Sequence, residues 1–337
     1  MGLGVIERWR DRLPVGPDTP SLTLGEGDTP LIRSRELGAR LGVDLHFKFE
    51  GTNPTGSFKD RGMVVAVAKA KEEGAEAVVC ASTGNTASSA AAYAARANLR
   101  AVVLCPAGAI AAAKLAQCRA VDATVLEVRG SFDEALECCL ELAGQGRFAL
   151  VNSLNPYRLE GQKTAAFEIR DQLGGRAPDV LALPYGGGGN TVAYDRGWRE
   201  EGVRPRMISA HAIDRATTLA SAIRIAEPAH LAEVEALVVD RRVEPVAVSD
   251  EDITRMWHEL AAHEGLFCEP SSAAGLAALQ HVELEPGSTV VCVLTGHGLK
   301  DTTAVERLAL ESTFVDPTVE SIMAEISSER PLAGAAR

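Results

Sequence analysis

The chain alternates short apolar runs with longer helix-like runs, and this alternation restricts the possible folds more than any other feature of the sequence. The pattern predicts strands at 45–49, 77–81, 101–105, 123–128, 148–151, 180–185, 243–248 and 289–294. It predicts helices at 34–41, 58–73, 87–97, 109–121, 132–143, 164–173, 191–201, 216–225, 250–264 and 272–279. Strands that alternate with helices form parallel sheets covered on both faces. We therefore expect an α/β protein with two three-layer αβα domains and mostly parallel sheets.

A polar stretch at 152–164 interrupts this pattern, and we interpret it as the crossing between two domains. Residues 52–151 form the smaller α/β domain in this interpretation. Residues 1–51 together with 152–337 form the larger one. The pattern is weak between 204 and 250, where only the helix-like run and one strand given above can be recognised.

The composition places the chain among soluble globular proteins, with 337 residues, 46% hydrophobic and 24% charged. A net charge of −12 without a basic block argues against nucleic acid and against an anionic membrane surface as partners. No apolar run approaches the ~20 residues of a membrane span, and the first residues contain no signal-peptide core. The seven cysteines form no C-x-x-C pair, and the histidines lack metal-ligand spacing. We expect a cytoplasmic protein with reduced thiols and no metal.

A lysine stands at the first of three places where a strand-like run passes through small residues into a helix. Ser57 and Asp60 have the spacing of a capping box, which predicts that a helix begins here and that Lys59 occupies its first turn. The positive end of the helix dipole disfavours the ammonium form. Lys59 is therefore a candidate nucleophile toward a carbonyl group. The alternative interpretation is a solvated lysine on a helix surface.

Four consecutive glycines, Gly186 to Gly189, directly follow the apolar strand at 180–185 and are followed by Asn190 and a helix. Such a run can direct several backbone N–H groups, together with the positive end of the helix, at one phosphate. It is not a Walker A loop, since no Gly-Lys-Ser/Thr follows. It is not G-x-G-x-x-G either, because Thr191 occupies the position of the last glycine. The alternative interpretation is a flexible surface turn.

A nucleophilic lysine and a phosphate cradle on the same α/β scaffold fit one cofactor that carries both an aldehyde and a phosphate. Pyridoxal 5′-phosphate is such a molecule: a lysine forms a Schiff base with its aldehyde, and a loop holds its phosphate. Ligands of parallel α/β sheets gather where strand C-termini meet helix N-termini, which is where both features lie.

Several segments resemble known sequences. Residues 54–62, Pro-Thr-Gly-Ser-Phe-Lys-Asp-Arg-Gly, resemble the lysine motif of the tryptophan-synthase-β-like (fold type II) pyridoxal phosphate enzymes. Within this family the sequence of this motif is similar to that of the threonine synthases. The segments 80–86, 151–168 and 294–301 resemble threonine synthases as well. The similarity extends from about residue 4 to residue 301 and thins between 204 and 250. It implies a fold type II enzyme whose larger domain binds the cofactor, and a homodimer.

The resemblance also implies roles for individual residues. Lys59 is the Schiff-base lysine with Phe58 packed beside the ring, Asn85 hydrogen-bonds the 3′-oxygen, and Thr295 faces the pyridine nitrogen. The cofactor phosphate is held by Gly186, Gly187, Gly188, Gly189 and Asn190. The substrate carboxylate meets Ser82, Thr83 and Thr86, and the substrate phosphate meets Asn152, Ser153 and Arg158, with Lys163 as a further candidate. Because a neutral hydroxyl supports a protonated pyridine nitrogen poorly, Thr295 favours elimination and replacement over transamination.

The activity that the resemblance implies is conversion of O-phospho-L-homoserine to L-threonine and phosphate, by elimination and water addition. The phosphate loop departs from the family pattern, because threonine synthases usually carry Gly-Asn-Ala-Gly-Asn there. Four glycines resemble the loop of serine/threonine dehydratases, and the segment before residue 216 is shorter than in the family. A dehydratase, a β/γ-replacement enzyme acting on a related hydroxy or phospho amino acid, and a non-catalytic phospho-ligand-binding protein remain alternatives. For Arg158 the alternative role is an interdomain salt bridge.

Overall fold

The computed structural model describes residues 3–108, 112–302 and 313–328, and its strands form two sheets. The larger sheet contains β1 (Leu31–Arg33), β2 (Asp44–Phe49), β7 (Val180–Pro184), β8 (Arg206–Ala212), β9 (Val243–Val248) and β10 (Thr289–Leu294). Its strand order is β1-β2-β10-β7-β8-β9, and all neighbours are parallel except β1, which pairs antiparallel with β2. The smaller sheet contains β3 (Ala77–Ala81), β4 (Arg100–Pro106), β5 (Thr124–Val128) and β6 (Phe148–Leu150), in the parallel order β5-β4-β3-β6.

Helices follow most of these strands. They are α1 (Val5–Arg8), α2 (Leu37–Leu41), α3 (Lys59–Glu72), α4 (Asn85–Ala97), α5 (Ala112–Ala120), α6 (Phe132–Gly144), α7 (Pro156–Gln172), α8 (Gly189–Glu200), α9 (Leu231–Val239), α10 (Asp250–Glu264), α11 (Ala274–Ala278) and α12 (Val319–Ser328). The predicted α/β fold with mainly parallel sheets is confirmed. The start of the helix predicted at 109–121 lies outside the described residues. Contacts group the chain up to Asp301 into one compact unit, and α12 belongs to a second one.

The central strands are apolar along their whole length because both of their faces are covered. All five residues of β3, and all five of β7, are buried. One core cluster packs α3 and α4 against β3 and β4, and another packs α7 and α8 against β7 and β10. Burying one large side chain such as Trp198, which is 0% exposed, stabilises the fold by roughly 1.5–3 kcal/mol or more. In the part of the chain that the structure describes, no helix has the length and apolarity to cross a bilayer.

The capping box predicted at the start of α3 is wrong. The helix begins at Lys59, and no side chain caps it. Ser57 instead forms a backbone bridge with Gly296, just beyond β10. The Asp60 carboxylate accepts hydrogen bonds from the Thr55 backbone N–H at 2.7 Å, from its hydroxyl at 2.6 Å and from the Ser89 hydroxyl at 2.6 Å. Tertiary partners thus replace the local cap.

The segment 204–250 contains both a correct and a wrong prediction. The strand at 243–248 is confirmed as β9. The helix predicted at 216–225 is wrong, since only the short 3₁₀ turn Ser221–Ile223 forms there. Asp214 accepts hydrogen bonds from the N–H groups of Ala216 and Thr217, and Asp250 accepts one from Leu219. These side chains stabilise a turn where the helical pattern is weak, as short acidic side chains commonly do.

Two further differences concern elements that the sequence pattern underestimates. Helix α7 begins at Pro156, so most of the polar stretch interpreted as a crossing is helical. The Asn155 side chain accepts a hydrogen bond from the Tyr157 N–H, and proline is favourable at the first helical position. The Asn-Pro dipeptide therefore indicates this helix start in the sequence itself. The pattern also predicts neither β1, a short antiparallel edge strand of only 3 residues, nor β8 (Arg206–Ala212).

Candidate active site

Backbone hydrogen bonds tie the lysine segment to the C-terminal end of β10. The Phe58 N–H donates to the Thr295 carbonyl over 3.0 Å, and the His297 N–H donates to the Gly56 carbonyl over 2.9 Å. Helix α3 therefore begins beside the end of a central strand of the larger sheet. This is the position at which parallel α/β sheets gather their ligands.

The Lys59 side chain lines this end of the sheet. Part of the residue is accessible, but its amine is surrounded by protein atoms and lies 4.4 Å from the centre of the Phe58 ring. Burial and, after it, the nearby positive charge of Arg158 lower the pKa of Lys59 to about 7, against the opposing attraction of Glu269. A large fraction of the amine is therefore uncharged at neutral pH, as a nucleophile requires.

Asn85 opens α4, directly beyond β3, and its side chain is buried. Its Nδ2 donates to Oε2 of Glu269 over 2.8 Å, while its Oδ1 accepts no hydrogen bond from any residue that the structure describes. Glu269 also lies 3.1 Å from the buried amine of Lys114. Sequence reasoning missed both Glu269 and Lys114, because each reaches the site from an element far away in the chain.

The glycine run forms the turn between β7 and α8. Gly188 caps α8 with a φ of +85°, a conformation that glycine adopts without strain. A Cβ at Gly186 would lie 3.1 Å from the Ala222 carbonyl oxygen, and one at Gly188 would lie 3.0 Å from Cγ2 of Val234. A side chain at Gly186 or Gly188 would therefore crowd its neighbours, and the N-terminal end of α8 adds its positive dipole.

Thr295 follows β10 and presents a neutral hydroxyl group. Its Oγ1 lies 3.0 Å from Oγ of Ser272, and 7% of the residue is exposed. On the neighbouring sheet, the Ser82 hydroxyl accepts hydrogen bonds from the N–H groups of Gly84 at 3.1 Å and Ala87 at 3.2 Å. Thr83 and Thr86 are half-buried beside it, at the N-terminus of α4.

The segment predicted to meet a substrate phosphate divides into groups with different partners. Asn152 exchanges two hydrogen bonds with the backbone of Ala81, at 2.9 and 2.8 Å, so its amide fixes the end of β3. Ser153 is half-buried. Lys163 donates to Glu160 at 2.5 Å and to Glu200 at 2.6 Å, so these two carboxylates neutralise its charge.

Arg158 has a different environment. It is wholly buried, and Nη1 donates to the Val151 carbonyl over 3.0 Å. Within the described ranges, no carboxylate pairs with this guanidinium, and Nε and Nη2 donate to no acceptor. Burial lowers the pKa of Arg158 to about 10, which still leaves the group charged at neutral pH. The interdomain salt bridge considered as an alternative is therefore not formed.

Several buried polar atoms without partners belong to residues of this site. Among the residues that the structure describes they include Ser57 Oγ, Asn85 Oδ1, Asn190 Nδ2 and two nitrogens of Arg158. Each such atom costs about 1–3 kcal/mol unless a ligand or water satisfies it. These atoms can hydrogen-bond a small molecule that carries several oxygen atoms, and the Lys59 amine can bond an aldehyde. The residues present therefore fit pyridoxal phosphate.

Comparison with known families decides the classification. A model described as "Pyridoxal-phosphate dependent enzyme" matches residues 22–296. The chain belongs to this family. It is therefore an enzyme that uses pyridoxal phosphate, as the lysine and the glycine loop predict.

Relatives agree with this membership, and solved structures are similar in fold. A threonine synthase from Halalkalibacterium halodurans is 46% identical over 94% of this chain and 94% of its own length. A threonine synthase from Synechocystis is 49% identical over 88% of this chain and 83% of its own length. Maize serine racemase, which is 21% identical, superposes with a TM-score of 0.72 over 83% of this chain and 91% of its own. O-ureido-L-serine synthase, which is 18% identical, gives a TM-score of 0.75 over 88% of this chain and 96% of its own. The solved structures share the fold.

Proposed function

We propose that the protein converts O-phospho-L-homoserine and water to L-threonine and phosphate. The observation that carries the proposal is the Arg158 guanidinium, whose Nε and Nη2 find no acceptor among the described residues and whose charge lowers the pKa of the Lys59 amine. A buried cation without a carboxylate is suited to a phosphate group, which accepts two hydrogen bonds from one arginine. The relatives named threonine synthase, at 46–49% identity, support the same activity.

The proposed cofactor contacts follow the elements described above. Lys59 would bond the aldehyde carbon, Phe58 would pack beside the ring, and Asn85 and Thr295 would hydrogen-bond the polar atoms of the ring. Gly186, Gly187, Gly188, Gly189 and Asn190 hold the phosphate. When bound, pyridoxal phosphate supplies an electron sink that stabilises negative charge on the substrate Cα.

Lys59 also moves protons in this proposal. When it is not bonded to the cofactor, its Nζ would be able to take the proton from the substrate Cα, for which a pKa of about 7 is suitable. The same Nζ returns a proton when the product forms. Loss of a proton from Cβ then expels the phosphate from Cγ, which the nearby positive charge of Arg158 favours, and Cγ takes up a proton before water adds.

The substrate ends are held by two different segments. Ser82, Thr83 and Thr86 surround the N-terminus of α4, where backbone N–H groups favour the substrate carboxylate. Arg158 and Ser153 take the substrate phosphate at the opposite end. Asn152 contributes by fixing the end of β3 beside them. Water then adds at Cβ, so the atoms of substrate and water equal those of threonine and phosphate.

A dehydratase is the second candidate, and the four-glycine loop is the specific observation that favours it. The decisive experiment incubates the cofactor-loaded protein with O-phospho-L-homoserine, L-threonine or L-serine. Phosphate, threonine, ammonia and keto acid are then measured together. The proposal expects equal amounts of phosphate and threonine from the first substrate. Ammonia and keto acid from threonine, without phosphate release from phosphohomoserine, would establish the dehydratase instead.

Assembly, location and domain division are further parts of the proposal. We propose a cytoplasmic homodimer, built from a domain at 52–151 and a larger domain at 1–51 with 152–337. The free thiols of all seven cysteines support a reducing compartment. Light scattering after size-exclusion chromatography tests the dimer, since a monomer mass would reject it. Limited proteolysis tests the domain boundary by cleavage near residues 51 and 152.

A further inference from the structure

His230 lies between the glycine loop and the segment that carries Ser153. Its backbone N–H donates to the Gly187 carbonyl over 3.0 Å. Its ring Nε2 lies 3.0 Å from the Ser153 carbonyl, which can only accept, so Nε2–H is the donor. Nδ1 lies 3.0 Å from Oε1 of Glu233, and the histidine is 5% exposed. One residue is thus anchored to both phosphate-binding segments.

The histidine also fills the space beside the glycines. A Cβ at Gly188 would lie 3.1 Å from His230 Cβ. A Cβ at Gly189 would lie 3.3 Å from His230 Cδ2 and 3.4 Å from Nε2. The absence of side chains in the loop therefore matches the presence of the imidazole. This residue lies in the segment 204–250, where the resemblance to the family is thinnest.

We propose that His230 is a positioning residue that fixes the shape of the cofactor-phosphate cradle and its separation from Ser153. The inference deepens the proposed function and rests on it, because it takes the cradle and Ser153 as the two phosphate sites. The cofactor phosphate and the substrate phosphate are both dianions and repel each other when they are close. The groups that bind them must therefore be held at a set separation. The ring provides this by hydrogen-bonding the Ser153 backbone while its own backbone holds the loop.

The test compares His230→Ala and His230→Gln with the wild type, and uses His258→Ala as a control because His258 is an exposed histidine on α10. The measured quantities are the dissociation constant of pyridoxal phosphate by equilibrium dialysis, the ³¹P chemical shift of the bound cofactor, and kcat and KM with O-phospho-L-homoserine. In the alanine variant we expect the dissociation constant of pyridoxal phosphate and the KM for O-phospho-L-homoserine each to rise about tenfold, as the loss of a buried hydrogen bond predicts. The ³¹P signal should shift, and kcat should change less than KM.

The glutamine variant should recover part of these losses, because its amide nitrogen reaches about as far as the imidazole Nε2. The control should match the wild type. An alanine variant with unchanged cofactor affinity, ³¹P shift and KM overturns the inference, even if its melting temperature falls. A wild-type protein that binds the cofactor but releases no phosphate from phosphohomoserine would instead reject the proposed function, and the affinity and ³¹P measurements would still decide the role of His230 at the cradle.

A double-mutant cycle covers the case in which His230→Ala folds poorly. Gly189→Ala places a methyl group against the imidazole, so it should weaken cofactor binding in the wild type. In the His230→Gln background the planar ring is absent, so Gly189→Ala should weaken cofactor binding less than it does in the wild type. An equal effect of Gly189→Ala in both backgrounds would contradict the proposed contact.

Discussion

The Phe58 N–H donates to the Thr295 carbonyl over 3.0 Å, so the residue before the candidate nucleophile is hydrogen-bonded to the end of strand β10. This bond fixes the first turn of α3 relative to the larger sheet. The proposed partner of the pyridine nitrogen and the proposed partner of the aldehyde are therefore positioned by one short piece of backbone. The distance between them does not depend on a mobile loop.

A buried charge network supports the same helix. Arg61 donates to Glu50 over 2.7 Å and to Glu168 over 2.6 Å, and Lys48 donates to Glu168 over 2.9 Å. Arg61→Met leaves buried carboxylates without their main counterion and should lower the free energy of unfolding by about 3–5 kcal/mol. Urea unfolding measures this. Arg147→Met removes an exposed pair with Glu76 and should cost less than about 1 kcal/mol. Equal losses in the two variants would contradict the network's role.

The same network should make stability sensitive to acid. Burial alone would raise the pKa of Glu168, but Arg61 and Lys48 hold it well below its ordinary value. A carboxylate with a lowered folded-state pKa contributes stability above its unfolded pKa of about 4.5 and loses it as the pH falls further. The wild type should therefore lose stability between about pH 5 and pH 3 more steeply than Glu168→Gln. Parallel curves for the two proteins would reject this prediction.

Attachment of the cofactor should depend on pH through Lys59. Only the neutral amine attacks an aldehyde, and burial, followed by Arg158, lowers the pKa of Lys59 to about 7. The rate at which the apoprotein develops visible absorbance with pyridoxal phosphate should rise through a midpoint near pH 7. Arg158→Leu removes a repelling charge, so the midpoint should move to higher pH. A midpoint near the ordinary lysine value of 10.5 would contradict the lowered pKa.

Substitution of two glycines at opposite ends of α8 distinguishes the effect of backbone strain from an effect on cofactor binding. Gly188 has a φ of +85° inside the proposed cradle, and Gly202 has a φ of +68° with nothing within 4 Å of an added Cβ. Alanine at either position adds strain of roughly 1–2 kcal/mol. Only Gly188→Ala should also raise the dissociation constant of the cofactor, by at least about tenfold. If Gly202→Ala weakened cofactor binding equally, the cradle would be misplaced.

Arg158 should determine the affinity for a phosphorylated substrate. Arg158→Leu removes charged hydrogen bonds worth about 1.5–3 kcal/mol, so KM for O-phospho-L-homoserine should rise roughly 10- to 100-fold. Arg158→Lys keeps the charge but lacks the planar guanidinium group, so its KM should lie between that of the wild type and that of Arg158→Leu. The visible absorbance of the cofactor should persist in both variants. Arg170→Leu, also on α7 but paired with Glu201 near the surface, is the control. An unchanged KM in Arg158→Leu would remove the basis of the proposal.

Most of the fold could be predicted because it is encoded locally. Strands such as β3 and β7 are continuous apolar runs, and the junctions at Lys59, Asn85 and Gly186 combine turn residues with a following helix. The capping box failed for a physical reason: Ser57 pairs with Gly296, and Asp60 accepts from Thr55 and Ser89, so neither side chain serves the helix start. Such partners are distant in sequence and invisible to a local pattern.

The same limit applies to the site. His230, Glu269 and Lys114 come from segments whose composition carries no local signal, and only the packing of the sheets brings them beside the glycine loop and Asn85. Conversely, the family resemblance implies that Asn152 is a phosphate ligand, while its amide is hydrogen-bonded to the backbone of Ala81. The sequence identifies residues whose side chains can bind a ligand or react. Their hydrogen-bond partners in the fold determine which of those polar atoms remain available.

The central claim is that Lys59 is the residue that carries pyridoxal phosphate. The most direct test reduces the reconstituted protein with borohydride and locates the phosphopyridoxyl group by peptide mass spectrometry. The group should be found on Lys59, and Lys59→Ala should lose both the label and the visible absorbance. A label on another lysine would contradict the claim, for example on Lys114 beside Glu269 or on Lys300, whose Nζ donates to the Thr55 carbonyl over 2.8 Å. A protein that remains unlabelled would contradict it as well.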